Sequence, residues 1–585
     1  MHNKIISWLN YILSFLGIAS LVSILAVTGF YLKPDELNFF KVIIRIIIIF
    51  FIVQEVIRLI LYKNVYNYLI SRWFENLLAI ILFFDLVFPE LFLNLFSNLL
   101  PHLNLSQISL IYLGILPLGI IFSVITKGLR HSEFISKIKL NPGTVFVISF
   151  ALIILTGTFL LLLPKAVPYG KTLSFVDALF TSTSAVCVTG LTSVDTSSCY
   201  TAFGKFIIML LIQVGGLGIM TLTTFFAVFL TGGVSYKLKL MMQDLLDQDS
   251  IGAATTLLVR ITVFTLAIES IGAVLLYLSL GGNFSSPNYN YIYTSVFHSV
   301  SAFCNAGFSL FKLNLMDAST QYNYNFLAVI MSLIVLGGLG FPVINNISTL
   351  NPFKRKTKRL RYQLTISSKV VIITTFCLII FGTTIFYFSE PFAANPNFDF
   401  YGRYIHSIFL SITARTAGFN SVPTELLAST TVVILIFLMW VGGSSGSTAG
   451  GIKTATFSVI LLTLWNLLKG KDRVEIFNRQ IAEETIRKSL LIVFTSISIL
   501  FIGFMLLLFL EPLKNPMDLL FEATSALGTV GLSRNLTFYL HTSSKYVVIF
   551  LMFIGRIGTL TFLLSFAHPP ILARYSLPKE NLLIG

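Results

Sequence analysis

The chain is organised around Ser184–Leu191, which reads Ser-Ala-Val-Cys-Val-Thr-Gly-Leu. A weaker copy of this setting returns three more times along the sequence. The four copies end in Gly190, Gly307, Gly418 and Gly531, which lie 117, 111 and 113 residues apart. A glycine that recurs so evenly in similar surroundings indicates internal repetition. The sequence therefore predicts four repeats around one axis.

Composition predicts an integral membrane protein. Of the 585 residues, 55% are hydrophobic and only 11% are charged, and the mean hydropathy is +0.86. Such a chain cannot cover the surface of a soluble protein. The net charge of +15 comes from basic residues clustered in a few loops, which positive-inside bias explains without nucleic acid. The four cysteines have no metal-ligand spacing, so we predict neither a disulfide framework nor a zinc site.

A first segment, residues 1–139, is predicted to form a four-helix membrane extension. Basic residues lie before its first apolar run, between its second and third runs, and after its fourth, whereas residues 99–106 have none. The N-terminus is therefore expected in the cytoplasm. The runs cover about 12–32, 39–62, 74–98 and 107–126.

Part of this extension resembles the second and third helices of voltage-sensor domains, in Gln54–Leu59 and Phe84-Asp85. A voltage sensor also needs a helix with regularly spaced arginines, and the fourth apolar run contains no basic residue. A degenerate sensor, a packing collar and a partner surface are the open interpretations of the segment. The favoured interpretation of Glu55, Arg58 and Asp85 is a polar cluster, within or between helices, in which these side chains satisfy one another.

From about residue 140, each repeat follows one plan: an apolar span, a short amphipathic run that ends in the glycine motif, and a second span. The short runs cannot cross a bilayer and are predicted to be re-entrant helices, which gives an all-α membrane fold of twelve spans and four re-entrant segments. The repeats cover 140–255, 256–366, 367–485 and 486–585. The first spans cover about 143–164, 256–281, 367–389 and 486–511; the short runs Phe175–Ala185, Tyr291–Phe303, Tyr404–Thr413 and Met517–Leu527; the second spans about 204–231, 324–347, 430–465 and 544–567.

The loops on the opposite side from the glycine motifs are basic, around 237–239, 354–361 and 469–488. They are predicted to be cytoplasmic, so the motifs open outward. Non-helical backbone at membrane depth is tolerated only where it is buried in protein or lines a water-filled path. A ring of four such segments can point carbonyl oxygens at one axis and replace the hydration shell of a monovalent cation. The predicted filter residues are Val186, Cys187, Val188, Thr189, Gly190, Cys304, Asn305, Ala306, Gly307, Arg415, Thr416, Ala417, Gly418, Gly528, Thr529, Val530 and Gly531.

With these motifs, residues 140–585 resemble the superfamily of bacterial Trk and Ktr and plant high-affinity potassium transporters, and are most similar to the Ktr-type membrane subunit. The resemblance implies four membrane-pore-membrane repeats, potassium as the transported ion, and a homodimer with one pore per subunit. It also implies a separate cytoplasmic, ring-forming regulatory subunit that binds nucleotides, and sodium as a candidate activator. A glycine at position 190 goes with potassium in that family, whereas serine favours sodium. No cofactor is expected in this chain, and a bacterial cytoplasmic (inner) membrane with its lipids is the expected location.

A second motif interrupts the long second span of the third repeat. Five glycines and several hydroxyl residues cannot continue a helix comfortably, so a break is predicted there. The resemblance implies a loop that obstructs the pore below the filter and moves on opening. Arg556, a charge within the last span, is predicted to face the pore beneath the filter, where it hinders cations and hydrogen-bonds loop carbonyls. The alternative is a purely structural role, with Glu522 or backbone carbonyls as its partners. The predicted gate residues are Gly442, Gly443, Ser444, Ser445, Gly446, Ser447, Thr448, Ala449, Gly450, Gly451, Lys453 and Arg556.

Four more charged residues lie near the motifs. Arg415 is predicted to point away from the axis, toward an acidic residue behind the filter. Asp177 and Glu522 lie on the short helices, where they could either stabilise cations or pair with basic neighbours. Arg534, at the fourth outer mouth, would lower the local cation concentration modestly if its charge were exposed, and its effect on conductance stays open.

Three rival functions are weaker. Gly443-Ser444-Ser445-Gly446 fits the short serine motif of intramembrane proteases, with His568 as base, but a boundary histidine explains His568 better. An ion-motive ATPase lacks its aspartyl-phosphate and nucleotide motifs here, so the chain is predicted not to be an enzyme. An alternating-access potassium/sodium or potassium/proton symporter is the main alternative, and the shared orientation of the four repeats favours a fixed axial filter over it.

Overall fold

The computed structural model describes residues 19–20, 22–23, 25–61, 66, 73–88, 142–229, 251–282, 289–349, 364–390, 398–471 and 473–566. These ranges are mostly helical, with one two-stranded hairpin. The helices are α1 Pro34–Leu61, α2 Trp73–Val87, α3 Pro142–Leu161, α4 Phe175–Val186, α5 Thr196–Cys199, α6 Ala202–Phe229, α7 Ile251–Ser279, α8 Tyr289–Phe303, α9 Ala318–Gln321, α10 Tyr324–Leu339, α11 Phe341–Thr349, α12 Ile366–Ser389, α13 Phe400–Thr413, α14 Ser429–Val441, α15 Thr454–Leu468, α16 Glu483–Leu510, α17 Pro516–Gly528, α18 Thr542–Ile557 and α19 Thr559–Phe566.

Short 3-10 helices cover Pro164–Ala166, Asn314–Met316, Thr424–Leu426 and Thr537–Tyr539. The hairpin pairs β1 Glu475–Ile476 with β2 Arg479–Gln480 in antiparallel register. Its two turn residues, Phe477 and Asn478, both have positive φ, at 48° and 62°. A two-residue turn of this kind matches the right-handed twist of the strands it joins.

Four short helices, α4, α8, α13 and α17, cover the runs predicted to be re-entrant, within four residues at each end. Local capping explains where three of them begin. Ser174 caps α4, Asp399 caps α13 and Asn515 caps α17, each accepting a hydrogen bond from a backbone N–H in the first turn. All four helices end at a glycine motif, so their predicted positions are confirmed.

Long apolar helices precede and follow these short ones. Among the described residues, α12, α16 and the part of α7 from Arg260 to Ser279 are each long and apolar enough to cross a membrane, and α10 with α11 forms a fourth span if counted as one bent unit. The predicted total of twelve spans therefore stays a prediction. The helix positions agree closely with the predicted first spans at 143–164, 256–281, 367–389 and 486–511.

The second spans of the last three repeats are all interrupted. The predicted break in the third repeat is confirmed, because α14 ends at Val441 and α15 begins at Thr454. Two further breaks were not predicted. The axes of α10 and α11 differ by 98° across Gly340, and Gly558 separates α18 from α19. Both glycines have positive φ, at 83° and 94°, which ends each preceding helix.

The two ends of residues 142–566 meet. The Thr144 hydroxyl of α3 donates to the Ser565 carbonyl of α19 at 2.9 Å, 421 residues away in sequence. A buried core runs across this junction, from Phe150 and Phe180 to Leu551 and beyond. Because the first and last parts of residues 142–566 share one core, the helices of this region form a closed arrangement rather than a row.

In the N-terminal segment, α1 and α2 pack through a small buried cluster that includes Ile44, Phe51 and Leu82. Glu55 and Arg58 are both buried, with a carboxylate-to-guanidinium distance of 3.9 Å, so these two members of the predicted polar cluster do lie together. The side chain of Asp85 and the predicted helix at 107–126 lie outside the described residues.

Candidate functional site

Each short helix leads into a line of five residues that we call a glycine line: Val186–Gly190, Phe303–Gly307, Ala414–Gly418 and Leu527–Gly531. All four lines share one backbone pattern. The final glycines have φ of 93°, 68°, 76° and 96°, and the residues two positions earlier, Val188, Asn305, Thr416 and Thr529, have φ of 55°, 60°, 85° and 48°. Non-glycine residues rarely adopt positive φ. The same pair of positive φ values, at the same two positions in all four lines, identifies one repeated structural motif.

The four glycines form a closed ring. A Cβ atom placed on Gly190 would collide with the carbonyl oxygen of Ala306, and one on Gly307 with that of Ala417. In the same way, a Cβ on Gly418 would meet the carbonyl oxygen of Val530, and one on Gly531 would meet that of Thr189. In every line, therefore, the carbonyl oxygen before the glycine lies beside the glycine of a neighbouring line. These contacts run from the first line to the second, third and fourth and back to the first, so the four lines surround one axis.

Side chains behind the lines are packed by the long helices. The Cys304 thiol lies 3.7 Å from the Glu269 carboxylate of α7, and the Gln213 amide donates to that carboxylate at 3.0 Å. Glu269 was not among the predicted site residues. Its sequence signal is an acidic residue inside an apolar span.

Arg415 is buried in the third line. Its guanidinium lies 3.4 Å from the Thr375 hydroxyl, and 3.5 Å from the carbonyl oxygens of Thr375 and Gly442. Thr375 belongs to α12, so the guanidinium is held behind the line. The prediction of an acidic partner is wrong, because the partners found among the described residues are a hydroxyl and two carbonyls.

The loop 442–453 lies against the end of the lines opposite the final glycines. Four of its residues have positive φ, namely Gly442, Gly446, Gly451 and Lys453, which explains why no helix crosses it. The Ser444 hydroxyl donates to the Leu339 carbonyl at 2.5 Å, and His568, the base of the protease alternative, lies outside the described residues. The Thr448 hydroxyl lies 3.4 Å from the carbonyl of Phe303, the first residue of the second line.

On its other side the loop reaches the fourth line. A Cβ on Gly450 would come 2.8 Å from the carbonyl oxygen of Gly528 and would also strike the Thr529 hydroxyl. The Lys453 ammonium, at the end of the loop, donates to the Ala449 carbonyl. The loop thus contacts the lines of two other repeats directly. Its remaining predicted members, Gly443, Ser445 and Ser447, lie within the same turn-rich segment.

Arg556 joins this loop to the rest of the site. The side chain is 2% exposed, and its two terminal nitrogens donate to the carbonyls of Thr448 in the loop and Gly215 in α6. Arg556 therefore bridges segments 108 and 341 residues away in sequence. The alternative partner, Glu522, instead accepts hydrogen bonds from the hydroxyls of Ser533 and Thr537.

Two ion pairs lie near the segments that follow the first and fourth glycine lines. The Lys545 ammonium of α18 lies 2.7 Å from the Asp177 carboxylate of α4. Burial works to raise the pKa of Asp177, but Lys545 and the hydroxyls of Ser174 and Ser193 outweigh it and hold that pKa below its usual value. Asp177 thus pairs with a basic neighbour, which was one of its two predicted roles.

Arg534 is neutralised by its surroundings. Its guanidinium pairs with Asp518 and donates to the carbonyls of Thr424, at 3.3 Å, and Glu425, at 2.9 Å. The side chain is 17% exposed. Because its charge is paired and hydrogen-bonded, Arg534 exerts only a weak electrostatic field on its surroundings. Its structural role is to join the segment after the fourth glycine line to the segment after the third.

We expect Arg534→Ala to lower the free energy of unfolding by about 1–3 kcal/mol, because its charge-assisted hydrogen bonds to Asp518 and to two carbonyls are lost. Thermal unfolding of the purified protein in detergent measures this. Lys471→Ala is the matched control, since Lys471 pairs with Glu475 at 3.0 Å in an exposed setting worth about 0–1 kcal/mol. Equal shifts in the two variants would contradict the joining role.

Comparisons with known proteins agree with this architecture. The family model described as "TrkH: Cation transport protein" matches residues 115–571. The potassium/sodium uptake protein NtpJ of Enterococcus hirae is 35% identical, over 76% of this chain and 98% of its own length. The Ktr system potassium uptake protein B of Bacillus subtilis is 38% identical, over 75% of this chain and 96% of its own length.

A solved structure shares the fold. The potassium transporter TrkH from Vibrio parahaemolyticus superposes with a TM-score of 0.60 at 16% sequence identity, covering 84% of this chain and 96% of its own. The fold and the relatives together define a membrane transport protein. The chain belongs to the TrkH family of cation transport proteins. The predicted resemblance is confirmed, as is the prediction that the chain is not an enzyme.

Proposed function

We propose that this chain takes up potassium through one channel-like filter formed by the four glycine lines. The observation that carries the proposal is the closed ring, in which the carbonyls of Thr189, Ala306, Ala417 and Val530 each approach the glycine of a neighbouring line. Converging carbonyl oxygens can replace the hydration shell of a monovalent cation. Several relatives are named as potassium uptake proteins, which supports potassium as the ion.

The proposal includes the finer architecture. Residues 140–255, 256–366, 367–485 and 486–585 form four membrane-pore-membrane repeats around this pore, and residues 1–139 add four membrane helices. The protein lies in the bacterial cytoplasmic membrane with its N-terminus inside and the glycine lines facing outward. The basic loops opposite the lines support this orientation. A homodimer with one pore per subunit is the proposed assembly.

The loop 442–453 is the proposed gate. It lies against the end of the lines opposite the final glycines, and Arg556 ties it to α6 and α18, which supports a closed state held by hydrogen bonds. Relatives named as members of a Ktr system support a separate regulatory subunit, for which we propose a cytoplasmic ring that binds nucleotides. Sodium is the proposed activator, and no resident cofactor is included in the proposal.

Growth of a bacterium that lacks its own potassium uptake tests the function. We expect the native chain, co-expressed with a Ktr-type regulatory subunit, to restore growth at low potassium. Gly190→Ser should weaken this rescue and admit more sodium, because a side chain at this position collides with the Ala306 carbonyl. Full rescue by Gly190→Ser would show that position 190 is not part of the selective ring. Failure of the native chain, with confirmed expression, would contradict potassium uptake itself.

A further inference from the structure

A second set of contacts recurs once at each of the four glycine lines, outside the glycine ring. From each short helix, one polar side chain reaches a serine that lies two or three residues beyond the glycine of its line. We call these four contacts the outer tethers. They are Asp177–Ser193 at 2.8 Å, His298–Ser309 at 3.0 Å, His406–Ser421 at 3.0 Å and Glu522–Ser533 at 2.9 Å.

The second outer tether shows how directional these contacts are. His298 is fully buried, and its Nδ1 lies 2.8 Å from the Thr294 carbonyl. A carbonyl only accepts, so Nδ1 donates, and in the neutral ring Nε2 is left to accept from the Ser309 hydroxyl. The Ser309 oxygen in turn accepts from the Phe311 N–H at 3.1 Å. The ring of Phe419, the residue after Gly418, stacks on His298 at 6.4 Å, which links this tether to the third line.

The glycine end of each line is also held by a hydroxyl of its short helix. The N–H groups of Gly190 and Gly531 donate to Ser184 at 3.0 Å and Ser525 at 3.1 Å. In the other two lines, the helix hydroxyl donates to the carbonyl just after the glycine, from Ser301 to Phe308 and from Thr413 to Phe419, both at 2.8 Å. Each line is therefore fixed at two points by side chains of its own repeat.

We propose that the outer tethers are positioning elements that set discrimination between potassium and sodium, an inference that rests on the proposed potassium filter. The smaller ion is coordinated well only if the carbonyls move inward, and a line anchored behind its glycine resists that movement. The side chains named here do not touch the ion. They act by fixing the strand that carries the coordinating carbonyls.

Ser309→Ala tests the proposal in the full-length protein reconstituted in lipid vesicles. Losing one neutral hydrogen bond weakens a preference by about twofold to tenfold. We expect the potassium-over-sodium ratio of initial uptake rates to fall by about that factor while potassium uptake persists. Ser309→Thr keeps the hydroxyl and should restore the ratio. Ser332→Ala is the matched control, because Ser332 bonds only within α10, to Ala328 at 2.8 Å.

The outcomes separate the two proposals. A native ratio in Ser309→Ala, beside a potassium-selective native chain, would overturn the tether proposal and leave the filter standing. A native chain without potassium preference would overturn both. Should Ser309→Ala not fold, Ser421→Ala and Ser193→Ala make the same measurement in the third and first lines. A lowered ratio that threonine does not restore would show general loosening and also count against the tethers.

Discussion

Replacing Gly418 with alanine is expected to reduce potassium uptake at least about tenfold. Two costs combine at this position. A non-glycine residue at the φ of 76° costs about 1–3 kcal/mol, and the new Cβ would lie 3.0 Å from the Cα of Gly531 and collide with the Val530 carbonyl. A free-energy cost of about 1.4 kcal/mol corresponds to a factor of ten. Distortion of this one carbonyl is therefore enough to reduce uptake tenfold. Initial rates of rubidium uptake into vesicles measure the effect.

Gly170 provides a matched control for the backbone cost alone. Its φ is 84°, close to that of Gly418, but a Cβ placed there meets no atom within 4 Å. Gly170→Ala should therefore lose some stability and keep its uptake rate per folded molecule. Equal loss of uptake in the two variants would mean that left-handed strain, rather than the ring, explains the defect.

Replacing Arg556 with alanine is expected to raise unstimulated potassium conductance at least about tenfold. Both guanidinium nitrogens donate to carbonyls, one of which belongs to the loop. Hydrogen bonds to charged groups contribute about 1.5–3 kcal/mol each, so their loss shifts a closed loop toward open states by a factor of ten or more. Single-channel or vesicle flux recordings without the regulatory subunit measure the change.

Two further variants sharpen this result. Arg556→Lys keeps the charge but loses the planar fork that reaches both carbonyls, and should be intermediate. Arg534→Ala removes an equally well-bonded arginine on the outer side and should leave the closed conductance unchanged. Unchanged or reduced unstimulated flux in Arg556→Ala would show that Arg556 does not hold the loop closed.

The sequence predicted what local chemistry determines. Long apolar runs, short amphipathic runs and recurring glycines place the long helices of residues 142–566 and the four short helices before the glycine lines to within a few residues. The glycine-rich composition of residues 442–451 likewise predicts the broken helix, because so many poor helix formers in succession cannot propagate one.

Contacts between distant parts of the chain could not be read in the same way. The backbone carbonyls that Arg556 and Arg534 bond to lie more than 100 residues away in sequence, and a backbone carbonyl carries no sequence signal. The same limit explains the wrong partner for Arg415. Serines two or three residues after each glycine were visible, but only the structure shows that they bond to an aspartate, two histidines and a glutamate of the short helices.

The ion selectivity of the open pore tests the central claim most directly. We would measure the reversal potential of Arg556→Ala in a planar bilayer with potassium on one side and sodium on the other. With equal concentrations of the two ions, a single ring of carbonyls predicts a reversal potential far from zero in the direction of potassium selectivity, and a shift toward zero when Gly190→Ser is added. A reversal potential near zero in Arg556→Ala alone would contradict a potassium filter at the four glycine lines.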